Sequence, residues 1–317
     1  MTLAGPKKIS RDPRTEATAH GRKAVMIGMG GLGIAALLGF ISTKVEAEDG
    51  RLFASLFALF WLFAAVSFLK KGRADIAEAA RIDRRKNMAP DQPWYWDYRW
   101  DSGGLSEGVA QSLKGMTRKL AVLSVVFGSF SWFVFYSSRM ENAPDLFRMI
   151  TVGIDLVLIG FWCHLGYRTL RYFKYGDSRL NFETFPFFLD EILRVSLVLP
   201  RAMQASQLEI RLLAIEERYE WRNVNGKRKV VVECYQHYEH AQKVAVEAGA
   251  VELPIELPLP AAPETRLSLV PPFYWVLAVS AETPGIDYSA EFLLPIYGKN
   301  NIDRQWRTSA SLDKLNL

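Results

Sequence analysis

Few residues in this chain are of the types that do chemistry, and their spacing decides what each cluster is worth. Residues Gly28-Met29-Gly30-Gly31-Leu32-Gly33 spell G-x-G-x-x-G, the pattern of a dinucleotide-binding loop. That loop works only where a strand, a tight turn and a helix N-terminus meet, with an acidic residue after the next strand. Here the run stays apolar to Ser42, which leaves no room for a second strand. Small residues at helical spacing let helices approach closely instead, so Gly31, Ala35 and Gly39 are expected to form a packing face. Cys234, His237, Glu239 and His240 are zinc ligands by type. Strand alternation sends 234 and 237 to opposite faces, and structural zinc sites draw four ligands from paired clusters. No nucleophile elbow or P-loop is present, and four histidines leave few general bases. The chain is therefore read as non-enzymatic, with no catalytic residue, metal or cofactor expected.

Two features remain as candidate binding sites. Asp155 is the one carboxylate inside an apolar run of membrane length, where a charge costs about 2.5–3.5 kcal/mol or more unless it is protonated or paired. Ser129 and Ser131, at similar depth in the preceding run, offer a hydrogen bond. His164, nine residues on at about 100° each, falls on the opposite helix face. Asp155 is thus either a structural hydrogen-bond partner or part of an ion or proton path. The second feature is Pro93-Trp94-Tyr95-Trp96-Asp97-Tyr98-Arg99-Trp100, five aromatics in seven residues from 94 to 100. Indole and phenol rings suit the headgroup layer, so an interfacial clamp is the first expectation for Trp94, Trp96 and Trp100. A contact surface for another domain or a partner is the second.

The elements that must hold these residues divide the chain in two. Apolar runs occupy 24–42, 52–69, 120–136 and 149–167. A helix crosses a roughly 30 Å hydrocarbon slab in about 20 residues, so each run is long enough to span with its flanks. Within 52–69 only Ser55 and Ser67 are polar, whereas a soluble helix of that length keeps a polar stripe. Residues 45–47 resemble a signal cleavage site, but the apolar run exceeds the usual core of about 7–15 residues and a second run follows at once. Two hairpins are expected, 24–69 and 119–167, packed as an antiparallel bundle. Residues 1–23 carry six Lys or Arg and residues 70–119 carry eleven, against two each in 43–51 and 137–148. Basic residues accumulate on the cytoplasmic side, so both termini are placed in the cytoplasm. This topogenic charge accounts for the net +5 without nucleic acid. Cys163 and Cys234 are too few for a disulfide framework.

Between the hairpins, residues 70–118 form a cytoplasmic linker whose charged stretch 73–86 continues the second run as a helix until Pro90 and Pro93. From 175 to 297 the pattern is one of short strands. Runs 217–224 and 227–235 flank Asn225-Gly226, which suits a type I′ turn. Tyr219, Trp221, Val230, Val232 and Cys234 are expected to line one packed face. Runs 274–281 and 287–297 pair across Thr283-Pro284-Gly285-Ile286, where Pro then Gly suits a type II turn. Further strands are expected at 179–184, 193–199, 208–214 and 253–257, the last an edge strand because of its prolines. Seven or more such strands read as a β-sandwich, and 298–317 as a loose polar tail.

Residues 253–260 (LPIELPLP), followed by 274–281 (YWVLAVSA) and 283–288 (TPGIDY), resemble arrestin-like β-sandwich domains. Trp94-Tyr95-Trp96 before a membrane hairpin and Tyr175-Gly176-Asp177-Ser178 after it resemble a group of bacterial integral membrane proteins that carry such a domain. The resemblance implies a membrane setting and an immunoglobulin/arrestin-like sandwich, with no catalytic residues to carry over. Arrestin-like folds act by binding proteins. The expected function is a membrane protein that presents a cytoplasmic sandwich to a protein partner, as scaffold, sensor or assembly factor. The alternative is a small transporter or accessory transport subunit that uses Asp155.

Overall fold

Uninterrupted apolar runs without proline favour long helices, and four long helices are what these runs form. In a computed structural model the described residues are 6–11, 21–44, 48–140, 145–202, 205–224, 226–247, 249–269 and 271–299. The chain divides into two units, one built from residues 18–79 and 108–177 and the other from 1–17, 80–107 and 178–317.

The helical unit contains α1 (Gly21–Lys44), most of α2 (Glu48–Met88), and α4 (Val109–Met140) and α5 (Asp145–Tyr175). A fifth, short helix, α3 (Pro93–Trp96), belongs to the other unit. As expected, α2 runs without a break through 73–86 and stops before Pro90. Ala24–Lys44 and Met149–Tyr175 are long and apolar enough to cross a membrane, with mean hydropathies of 2.2 and 1.7. Those are two of the four expected spans. The runs 52–69 and 120–136 lie inside α2 and α4, which carry charged ends and include side chains outside the described ones. The loop residues 45–47 and 141–144 also lie outside the described residues.

The glycine face of α1 packs on α2, one turn earlier than expected. A Cβ on Gly28 would stand 2.7 Å from Leu69 Cγ, and one on Gly31 would stand 3.0 Å from Ala65 Cβ. Ala35 and Ala65 are buried, whereas Gly39 faces open space. Close approach is needed only where a partner backbone lies, and Ala65 supplies it. Helices α4 and α5 meet through Leu113, Leu120 and Leu165. Phe60 of α2 sets its ring edge-on to Phe127 of α4 at 5.9 Å.

The β unit holds two antiparallel sheets and one small parallel pair. A five-stranded sheet runs β1 (Lys7–Ile9), β7 (Lys227–Ala245), β6 (Gln207–Val224), β9 (Phe273–Ala281), β10 (Tyr288–Leu294). A four-stranded sheet runs β2 (Gly104–Ser106), β3 (Arg179–Phe182), β5 (Ile192–Val198), β8 (Glu252–Pro258). Strands β4 (Phe187–Phe188) and β11 (Ile296–Tyr297) pair in parallel. Leu208, Ile210, Leu212 and Ala214 of β6, with Leu193, Val195 and Leu197 of β5, form fully buried apolar rows. Strand β8 lies at a sheet edge, as its Pro254 and Pro258 require. Gly285 has φ of +86° in the β9–β10 turn, as a type II turn demands. Gly226 has φ of +74°, whereas Asn225 lies outside the described residues, as do nearly all of the tail and most of the N-terminal segment.

Three departures are informative. The runs expected as separate strands at 208–214 and 217–224 form one 18-residue strand, β6, which passes a register shift at Ala214/Ile215. Strand β9 pairs with β6 only over residues 209–216, so β6 and β7 continue past the sheet as a two-stranded ribbon. The apolar face expected around Trp221 is consequently uncovered: Trp221 is 56% exposed. Finally, the basic N-terminal segment, expected only to set orientation, contributes β1 beside Cys234, Tyr235 and Gln236.

Candidate functional site

The aromatic linker is tied into the β unit by ring contacts and hydrogen bonds. Pro93 starts α3 at its first turn, where a missing N–H costs nothing, and the helix ends after one turn. Trp96 is 1% exposed and donates its Nε1–H to the Ala89 carbonyl at 3.1 Å, with Lys86 Nζ 5.3 Å from its ring. Arg85 stacks on Tyr95 at 4.9 Å and donates to the Tyr95 carbonyl at 3.2 Å. Trp94 meets the rings of Phe188 and Tyr297 edge-on, each at 5.9 Å. Trp100 and Tyr98 cover a buried cluster that includes Leu213, Ile215, Cys234, Tyr274 and Val276. Trp94, Trp96 and Trp100 thus all meet protein groups of the β domain, with Phe188, Tyr297 and the sheet surface among their apolar neighbours.

Asp97 joins these parts. Its Oδ2 accepts the Leu267 N–H at 2.9 Å and the Tyr297 hydroxyl at 3.3 Å, and its Oδ1 accepts the Ser268 N–H at 2.6 Å. Trp100 Nε1–H donates in turn to the Tyr297 oxygen at 2.9 Å, which completes a relay from Trp100 through Tyr297 to Asp97. Burial pushes the Asp97 carboxyl up from its ordinary range, and the donated hydrogen bonds oppose that shift without cancelling it. Burial and the neighbouring carboxylate hold the Tyr297 phenol well above its ordinary value, so it stays protonated and able to donate. Asp97 was missed in the sequence reading because Leu267 and Ser268 lie about 170 residues away. Its only local signal is a lone acid among rings. With its oxygens engaged by three donors, this carboxylate acts as a joint between linker and sheet.

In the helical unit Asp155 accepts the Ser131 hydroxyl at 2.8 Å, one of the two partners its depth suggests, while the other, Ser129, turns back to the Val125 carbonyl. Trp162 Nε1–H donates to Ser124 at 2.9 Å, a second polar tie between α5 and α4. The dinucleotide pattern lies wholly inside α1, with no turn. Cys234 is buried against Ile9, whereas His237 lies 2.6 Å from Glu216 Oε2, a carboxylate that Arg218 also holds at 2.6 Å. Burial raises Glu216, but Arg218 and His237 outweigh it and hold the carboxyl below its usual range.

Two further buried acids escaped the sequence reading, Glu217 and Glu264, the latter accepting the Gly298 N–H at 2.8 Å. Glu217, paired opposite Cys234, accepts the Tyr274 hydroxyl at 3.1 Å and is fully buried. Burial, reinforced by Glu217, raises the Tyr274 phenol far above its ordinary value. A carboxylate in an alternating strand looks solvated on paper, and only the sheet face it lands on decides otherwise.

No family model matches this chain. No curated protein matches it. A distant structural likeness links it to Spo0M, the sporulation control protein of Bacillus subtilis, at 12% identity over 38% of this chain, with a TM-score of 0.26. The matched part spans about half (49%) of that protein's length. A likeness this remote assigns neither family nor function.

Proposed function

We propose that this chain is a non-enzymatic, multi-pass protein of the bacterial inner membrane that holds an immunoglobulin/arrestin-like β-sandwich in the cytoplasm to bind a protein partner. The observation that carries the reading is the outward face of the helices. Only 22% of the Ala24–Lys44 window and 11% of the Met149–Tyr175 window is buried within the protein. Met26, Ile27 and Phe40 of α1 and Leu156, Val157, Ile159 and Phe161 of α5 all project outward. The apolar runs of α2 and α4 behave alike, with Phe57, Leu59, Val125 and Trp132 exposed. Water tolerates no contiguous apolar surface of this extent on a monomer, whereas lipid does. On this reading all four runs cross the bilayer, and the basic segments keep both termini inside.

Partner binding is supported by the sheet edges. Strand β8 presents prolines, which have no N–H to offer, but β10 ends the five-stranded sheet with Ser289 exposed and carries no proline. Such an edge takes an added strand from a partner. The test is a photo-crosslinking residue at Ser289, with the same probe at Glu256 on β8 as control, in native membranes. One defined protein trapped from Ser289 and absent from Glu256 supports the reading. A defined partner that still co-purifies after the β domain is deleted overturns it.

Asp155 supports a second reading, transport through the helical unit, because it places an ionisable group in an apolar helix beside a hydroxyl. That reading requires a hydrated path to Asp155 and an Asp155→Asn variant that folds normally but loses a transport or pH-dependent phenotype.

A further inference from the structure

The end of the β6–β7 ribbon combines features that serve no purpose inside the fold. Between Glu220 and Glu233 the chain carries Arg222, Lys227, Arg228 and Lys229 and no acid. Residues 218–224 and 227–233 pair only with each other among the described residues, a ribbon reaching roughly 20 Å beyond the last β9 pairing. Pairing sets Arg222 directly opposite Lys229, a like-charge pair that weakens a ladder. Glu233 offsets this through Arg222 at 2.7 Å, but Arg228 and Lys229 have no ion-pair partner among the described residues. On the other face Tyr219 stands opposite Val232 and Trp221 opposite Val230, an apolar row that ends in the exposed indole. An isolated two-stranded ribbon is marginal in water, and this one adds charge repulsion and bare apolar surface to that deficit. An anionic surface that also accepts an indole offsets both.

We propose that this ribbon tip, Trp221 with Arg222, Arg228 and Lys229, docks on the phosphate headgroups of an anionic bilayer. The proposal rests on the membrane reading above, which puts the tip on the side where the leaflet is negatively charged. Cations there gain from the surface potential, and tryptophan settles at the headgroup boundary. A single-stranded nucleic acid is the weaker fit, because bases stack on a row of exposed rings and the tip has one.

The test uses the full chain in nanodiscs, with an environment-sensitive dye on Asn223→Cys in a Cys163→Ser background. Phosphatidylcholine discs are compared with discs that also contain phosphatidylglycerol. Docking gives a blue shift only with phosphatidylglycerol, reversed by high salt. Arg228→Gln and Lys229→Gln each lower the docked-to-free ratio about fivefold, and Trp221→Ala removes the shift. Identical spectra in both discs overturn the proposal while leaving the membrane reading intact. A shift produced in phosphatidylcholine discs by single-stranded RNA also overturns it, in favour of a nucleic-acid surface. A chain that does not enter discs overturns the membrane reading instead, and the same dye read against added phosphatidylglycerol vesicles then decides the tip.

Discussion

Linker residues 93–100 and the Met149–Tyr175 stretch of α5 draw on the same side chains, tryptophan, tyrosine and one aspartate, and place them in opposite surroundings. In the linker Trp96 and Asp97 are buried, every ring has a protein neighbour, and the carboxylate takes three donated hydrogen bonds. On α5 Trp162 and Tyr167 are exposed, and Asp155 takes a single donated hydroxyl, from Ser131. The difference teaches that aromatic richness has no fixed meaning by itself. The same rings are covered by a sheet surface in one unit and left on the outward face of a helix in the other.

The sharpest way to break this comparison is to truncate a ring on each side. Trp96→Ala should cost the β unit about 3–5 kcal/mol, read as a lowered denaturation midpoint, because it empties a closed pocket. Trp132→Ala, at 75% exposure on α4, should change that midpoint by no more than about 0.5 kcal/mol. Equal losses would erase the distinction. Asp97→Ala comes next, at about 1–3 kcal/mol, since the part-buried Leu267 and Ser268 N–H groups lose their acceptor. Hydrogen exchange at those two amides should rise in the variant.

A third change probes helix contact alone. Gly28→Val should loosen α1 from α2 by about 1–3 kcal/mol through collision with Leu69, whereas Gly39→Ala should be silent; a disulfide-trapping assay between the two helices reads the difference. A gentler effect concerns acid. The depressed carboxyl of Glu216 contributes stability that is complete above its unfolded value near 4.5 and is lost as pH falls through the lower folded value. Glu216→Gln should flatten the decline in melting temperature over that acid window. The smallest effect belongs to Asp155→Asn, which keeps an acceptor for Ser131 and should alter folding by about 0.5 kcal/mol or less. A large loss of stability would show that the charge itself holds the helices.

Periodicity made much of the architecture legible. Most strands from 179 to 297 start within a few residues of where alternation puts them; the exceptions are β6, which a bulge carries on past residue 215, β7, which continues ten residues beyond its expected end at 235, and the unforeseen short strand β4. Helical rise converts residue number into depth, which narrowed the partner of Asp155 to Ser129 or Ser131; only the fold chose Ser131. Trp221 was misread because alternation reports which side chains share a face, not whether another element covers it.

Local patterning by itself therefore determined the long apolar helices, the switch to strands after residue 175, the Pro-Gly turn at 284–285 and the edge position of β8. Tertiary structure alone decided that Asp97 reaches across about 170 residues to Leu267 and Ser268, that Glu217 is buried, and that β1 joins β7. The physical reason is range. Turn chemistry and helical or strand period act over a few neighbouring residues, while burial and hydrogen-bond satisfaction depend on groups that only the folded chain brings together.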